Sequence, residues 1–272
     1  MFSYRRYRIK LDAKKRFEPV GIFLLVLLFI ISVITLLIYQ FKSFKDNDEL
    51  KELKKDIGFN EENEEQYVTI DGVKVQKKFE KLYRDNKDFV GWLQVEGTSI
   101  DYPVLQNNDD TYYLHKGFDQ EYSAGGSIFM DSRCDILYPS DNFLLYGHHM
   151  INRTMFGSLD SYENEDYYKS HKYVHFDTID SDGLYEVIAA FRTKLYTEDT
   201  NNFQFNKFIY ASTPTEFDEF IYNCKNLTPF KIDTTATFGD QLLTLSTCAY
   251  HTHNGRFVVV AKKINIKGEL EK

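Results

Sequence analysis

The 272-residue chain has only three cysteines, too few for a disulfide scaffold, and the odd number leaves at least one thiol unpaired. Fourteen glycines and five prolines exclude a collagen-like or low-complexity chain. The phosphate-cradling patterns G-x-x-x-x-G-K-[ST] and G-x-G-x-x-G are missing, and so are H-E-x-x-H and G-x-S-x-G. No pair of C-x-x-C motifs is there to hold a structural zinc. Positive charge is scarce beyond the N-terminus. Residues 1–19 carry seven basic and two acidic side chains, a net +5, so the rest of a chain of net charge −8 sums to −13. A body that acidic argues against nucleic acid as a partner, because phosphate binding needs a basic face.

The chain does have a long apolar run and an apolar, aromatic-rich body. Hydrophobic residues make up 43% and aromatics 16%, which fits a folded core. No charge occurs in residues 19–41, and residues 20–39 are interrupted only by Gly21, Ser32, Thr35 and Tyr39. Twenty helical residues span about 30 Å, the hydrocarbon thickness of a bilayer. A cleaved signal peptide would have a shorter apolar stretch and a small-residue cleavage site. Gln40-Phe41-Lys42-Ser43-Phe44-Lys45 offers none. The expectation is an uncleaved anchor at 20–41, with the basic tail 1–19 cytoplasmic and the C-terminal bulk across the membrane.

Residues 42–66 read as a polar stalk. Within it, Leu50, Leu53 and Ile57 have helical spacing, and Glu61-Glu62-Asn63-Glu64-Glu65 forms a solvated acidic run. Residues 67–272 read as one extracytoplasmic domain. A helix is expected over 75–86. Short strands follow at 91–95, 99–105, 127–131 and 142–146, and a helical stretch at 156–168. A hairpin at 173–191 turns on Asp180-Ser181-Asp182-Gly183, a helix covers 215–224, and two strands lie at 241–247 and 256–262. Many short strands with few helices predict a mainly β fold, a closed or nearly closed barrel with helical insertions.

Cys248 ends the run Leu242-Leu243-Thr244-Leu245-Ser246-Thr247. At a strand end it is either a packed small hydrophobe or an accessible nucleophile. Arg256 opens the next strand, where a returning hairpin brings it near the thiol. A guanidinium there favours a thiolate and donates to an oxyanion, and otherwise it is a surface arginine. A cysteine nucleophile usually needs an imidazole. His148 follows the strand Phe143-Leu144-Leu145-Tyr146 and Gly147, a placement like that of Cys248. His149 points elsewhere, and His171 and His175 read as surface or packing residues. Cys248, His251 and His253 also form C-x-x-H-x-H, but three ligands on one short loop close a tetrahedron poorly, so no metal is expected. Cys134 and Cys224 read as core thiols.

These segments together resemble the sortases. Thr244-Leu245-Ser246-Thr247-Cys248 is similar to their T-L-x-T-C signature. Arg256-Phe257-Val258-Val259 resembles the strand of the catalytic arginine, and Leu145-Tyr146-Gly147-His148 the catalytic-histidine segment. Val90-Gly91-Trp92-Leu93, the stretch from Gly97 to Val104, and Ser127-Ile128-Phe129-Met130-Asp131 resemble class B members, as does the long segment 201–228, where that class carries an extra helix. One position departs: His149 stands where class B commonly has asparagine. The resemblance implies a transpeptidase with Cys248 as nucleophile, His148 as acid and base, and Arg256 holding the oxyanion. It also implies that Tyr146, Ser246 and Thr247 line the peptide groove. Its partners would be surface proteins bearing a sorting motif and a peptidoglycan amine as acceptor, with no cofactor. Two rivals remain: a papain-like peptidase that passes the acyl group to water, and a non-enzymatic membrane-tethered binding module.

Overall fold

A computed structural model describes residues 19–57, 66–196, 202–248 and 254–264. The chain divides into two compact units, residues 1–45 and 46–272.

Helix α1, Pro19–Asp56, begins in the first unit and ends in the second. Its window Gly21–Ile38 has a mean hydropathy of 3.2, long and apolar enough to cross a membrane. Side chains from Ile22 to Ile38 are exposed along it. In the second unit its last turns pack against the folded body. Leu53 is buried, Leu50 and Ile57 pack against the same core, and Lys54 pairs with Asp101 at 2.7 Å. The apolar spacing read within 42–66 is what seats these turns. The acidic run 61–65 lies outside the described residues.

Strands β1 (Tyr67–Ile70) and β2 (Val73–Gln76) form a hairpin. It turns on Asp71 and Gly72, whose φ values of 53° and 84° require a left-handed backbone. The helix expected over 75–86 is therefore shorter: β2 takes its first residues, a 3-10 turn follows, and α2 covers only Glu80–Asp85.

Eight further strands close a barrel: β3 (Phe89–Gln94), β4 (Asp101–Gln106), β5 (Ile128–Met130), β6 (Asn142–Tyr146), β7 (Tyr173–Thr178), β8 (Leu184–Lys194), β9 (Leu242–Cys248) and β10 (Gly255–Ile264). Round the barrel they run β10-β8-β7-β3-β4-β5-β6-β9, and β10 pairs with β9 to close it. Pairs β4–β5 and β6–β9 are parallel. The short helix α3 is Glu165–Ser170, and α4, Pro214–Leu227, lies on β8 between β8 and β9 in sequence. Thr213 caps α4 by accepting from Glu216 N–H, and Pro214 opens it. Its Phe217, Phe220, Ile221 and Cys224 are buried, as their i, i+3, i+4, i+7 spacing predicts.

The core joins barrel strands on opposite sides. Phe143 on β6 meets Phe176 on β7 edge to face at 5.9 Å and 82°. Burying each such ring contributes about 1.5–3 kcal/mol. The closed, mainly β barrel with helices is the architecture the sequence led us to expect.

Candidate active site

Strands β6, β9 and β10 lie side by side. Tyr146 of β6 stands opposite Ser246 of β9, and the Gly147 N–H continues that ladder to Ser246 O at 3.2 Å. Two residues beyond this pair come His148 and Cys248. On the other side of β9, Arg256 is directly opposite Cys248. By backbone register, positions 148, 248 and 256 therefore lie in one row across the ends of the three strands.

Gly147 is fixed by close approach. A Cβ there would lie 2.5 Å from Ile128 Cδ1 and 2.8 Å from Phe156 Cδ2. Its carbonyl accepts from Thr247 Oγ1 at 2.8 Å, so the two strand ends are pinned together just before the row begins. His148 is half-buried, with Nε2 2.7 Å from the Leu114 carbonyl. The ring of His115 stacks on it with centroids 5.6 Å apart at 27°. His149 turns away to Asp160, 3.1 Å from its carboxylate. Arg256 is half-buried and donates from Nη1 to Gly255 O at 2.9 Å.

The three residues read as groove lining differ from one another. Tyr146 is half-buried. Its ring packs on Phe129 and its hydroxyl donates to Asp131 Oδ2 at 3.1 Å. Ser246 and Thr247 are both buried, and Thr247 spends its hydroxyl on Gly147. Among the described residues, buried Ser246 Oγ has no hydrogen-bond partner. Beneath Tyr146, Asp131 receives Arg133 Nε and Nη2 at 2.8 and 2.7 Å. Burial raises the Asp131 carboxyl, but the Arg133 hydrogen bonds, its charge and the Tyr146 hydroxyl outweigh burial and hold the acid below its usual range. Burial and the Asp131 charge push the Tyr146 hydroxyl far up, so it stays a donor.

The other two thiols are unlike a nucleophile. Cys134 and Cys224 are buried. Burial pushes the Cys134 thiol up to about 12 and Cys224 well above its ordinary value. Both are core thiols, as the sequence suggested. Among the described residues no three His, Cys, Asp or Glu side chains are grouped to hold a metal ion. His251 and His253 lie outside the described residues.

A family model of the sortase domain matches residues 93–264. The chain belongs to the sortase family. Sortase B of Staphylococcus aureus is 37% identical over 194 residues, covering 71% of this chain and 77% of that protein. The crystal structure of a Staphylococcus aureus sortase B–substrate complex is similar with a TM-score of 0.70 at 30% identity, over 83% of this chain and 99% of that one. A crystal structure of sortase B complexed with triglycine gives a TM-score of 0.71 at 30% identity, over 82% and 99%. These likenesses make this chain a class B sortase, a cysteine transpeptidase acting on surface proteins.

The sequence reading of this sortase missed four residues around the row. Leu114 and His115, at the end of a 3-10 turn, face His148. Asp131 and Arg133 support Tyr146 from below. Asp131 falls inside a segment already matched to class B. Nothing in local periodicity points to Leu114, because its part is played by a backbone carbonyl.

Proposed function

We propose that this sortase is a single-pass membrane enzyme anchored by residues 20–41, with residues 1–19 cytoplasmic and the barrel outside. It cleaves a C-terminal sorting motif of surface proteins and joins the acyl product to a peptidoglycan amine. The observation that carries the chemistry is the shared row of positions 148, 248 and 256 at the ends of β6, β9 and β10.

The Cys248 thiolate attacks the scissile backbone carbonyl, and the C–S bond forms as the carbonyl oxygen takes negative charge. The Arg256 guanidinium stabilises that oxyanion. The C–N bond then breaks while the His148 imidazolium gives its proton to the leaving amine, which leaves a thioacyl-enzyme. An acceptor amine attacks the thioester, neutral His148 takes the amine's proton, and the C–S bond breaks to restore the thiolate. An extended peptide lying along the strand ends suits this attack, with Tyr146 at its edge. Buried Ser246 and Thr247 support the groove floor, Thr247 by holding Gly147. The substrate and triglycine complexes of sortase B favour a peptide substrate and an amine acceptor. The apolar window Gly21–Ile38 supports the anchor.

A library of fluorogenic pentapeptides with triglycine as acceptor tests the reading. Wild-type protein should yield a thioacyl adduct on Cys248 by mass spectrometry and a ligated product. His148→Ala and Arg256→Ala should each yield neither at a comparable rate. Hydrolysis at an unchanged rate with triglycine present, and no ligated product, would replace transfer by a peptidase reading. No adduct with any peptide would overturn the enzyme assignment.

A further inference from the structure

Three observations converge on His148. The first is the contact of Nε2 with the Leu114 carbonyl at 2.7 Å. A carbonyl oxygen only accepts, so the nitrogen facing it carries the proton, and in the neutral ring the lone pair is then on Nδ1. The second is the His115 ring, which covers one face of the imidazole at 5.6 Å. The third is the rigidity of the loop that supplies both groups. Tyr113 is buried and donates to Asp88 Oδ2 at 2.9 Å. Asn86 Nδ2 donates to Phe118 O at 2.8 Å, and Ser123 N–H to His115 O at 3.0 Å. Even α1 contributes, because Glu49 Oε1 accepts from Asp119 N–H at 3.0 Å.

We propose that the loop 112–123 orients the catalytic imidazole. The Leu114 carbonyl holds the proton on Nε2, and His115 acts as a positioning residue that keeps the ring from rotating, so that His148 exchanges protons through Nδ1. This rests on the reading of His148 as acid and base. In a cysteine–histidine enzyme the imidazole is commonly held by a third group, and a carboxylate is not needed when a fixed carbonyl selects the tautomer. A side-chain orienter would be visible as a motif. A backbone one appears only once the loop is folded against the histidine. His115 does not itself touch the reacting atoms. It sets the angle of the ring that does, and a small rotation of that ring weakens proton transfer far more than peptide binding.

The tautomer is read by two-bond nitrogen–proton correlation on 15N-histidine-labelled Cys248→Ala protein, with the His148 signals identified by their loss in Cys248→Ala/His148→Gln. The expected result is a single neutral tautomer with the proton on Nε2. His115→Ala should mix the tautomers, and His115→Phe, which keeps a flat ring, should restore the single form. In the wild-type background, with a peptide from the fluorogenic library, His115→Ala should lower kcat by about tenfold with KM within about twofold, and His115→Phe should recover most of it. A proton on Nδ1 overturns the proposal whatever the kinetics. So does His115→Ala with unchanged tautomer and kcat, or a phenylalanine variant as slow as the alanine one. Failure of the acid–base reading itself is separate, and would appear as an active His148→Ala enzyme.

Discussion

The parallel pair β6–β9 has two unlike ends. At its start, polar groups are saturated. Asn142 is fully buried, donates from Nδ2 to Phe208 O at 2.8 Å and accepts from Thr244 Oγ1 at 2.8 Å. Leu242 N–H bonds Asp141 O, and Gln241 Nε2 bonds Ser140 O at 2.9 Å. At its finish, Thr247 and Gly147 lock the backbones together, and His148 and Cys248 follow, with Arg256 opposite Cys248 across the ladder. On the proposed reading the same ladder serves stability at its start and chemistry at its finish. A strand end holds a reactive group within a fixed register, while a substrate can still reach it.

That contrast is broken most severely at the finish. Cys248→Ala should abolish transfer and hydrolysis, at least about a thousandfold, because no other group on the row can form the thioester. Its melting temperature should stay within about 2 °C of wild type, as expected for a change that leaves the saturated end intact. Peptide turnover and a thermal melt on the same preparation decide both halves. A large loss of stability would show that the thiol holds the fold rather than the substrate.

The start should respond in the opposite way. Asn142→Ala removes two hydrogen bonds and strands Thr244 Oγ1 and Phe208 O without partners, which costs about 2–4 kcal/mol. Urea melts should show that loss, while kcat per folded molecule at low temperature should remain near the wild-type value. A kcat that falls in proportion to stability would dissolve the distinction between the two ends.

Between them stands Gly147. In Gly147→Ala the new methyl would press on Ile128 and Phe156, and overpacking of this kind costs about 1–3 kcal/mol. The strand end should relieve the strain by shifting, which takes His148 out of its row, so turnover should fall by more than the stability change alone explains. Full activity in a destabilised Gly147→Ala protein would mean that the row tolerates movement.

How much of this was legible before folding follows from where each signal lies. The strands carrying Cys248, Arg256 and His148 are short apolar runs closed by polar residues, and such runs are visible in one dimension. The order of strands round the barrel is not, because the parallel pairing of β6 with β9 joins segments about a hundred residues apart. The hairpin β1–β2 was legible through Asp71-Gly72 but was masked by the helical spacing that follows it. The helical spacing of Leu50, Leu53 and Ile57 was visible, whereas their seating against the core was a tertiary fact. Ser246 and Thr247 read as groove lining from their motif alone, and their burial depends on the neighbouring strands.

Asp131 links the two ends, and its titration gives the finest test of the contrast. It follows β5, its backbone N–H bonds Leu144 O midway along β6, and its carboxylate reaches the Tyr146 hydroxyl two residues before His148. Its folded pKa is depressed below that of an ordinary carboxyl, ~3.9, with Arg133 and Tyr146 overcoming burial. A depressed carboxyl contributes stability that is fully present above the unfolded value. That stability is lost as the pH falls through the folded value, because the unfolded chain binds the proton first. The window therefore lies below about pH 4. Asp131→Asn keeps the shape and removes the charge, so its stability should fall less steeply on acidification than that of wild type. Urea melts of the two proteins at matched pH values measure the difference directly. Parallel curves would show that Arg133 and Tyr146 hold the side chain in place without favouring its charge, and the link between the two ends would then be one of packing alone.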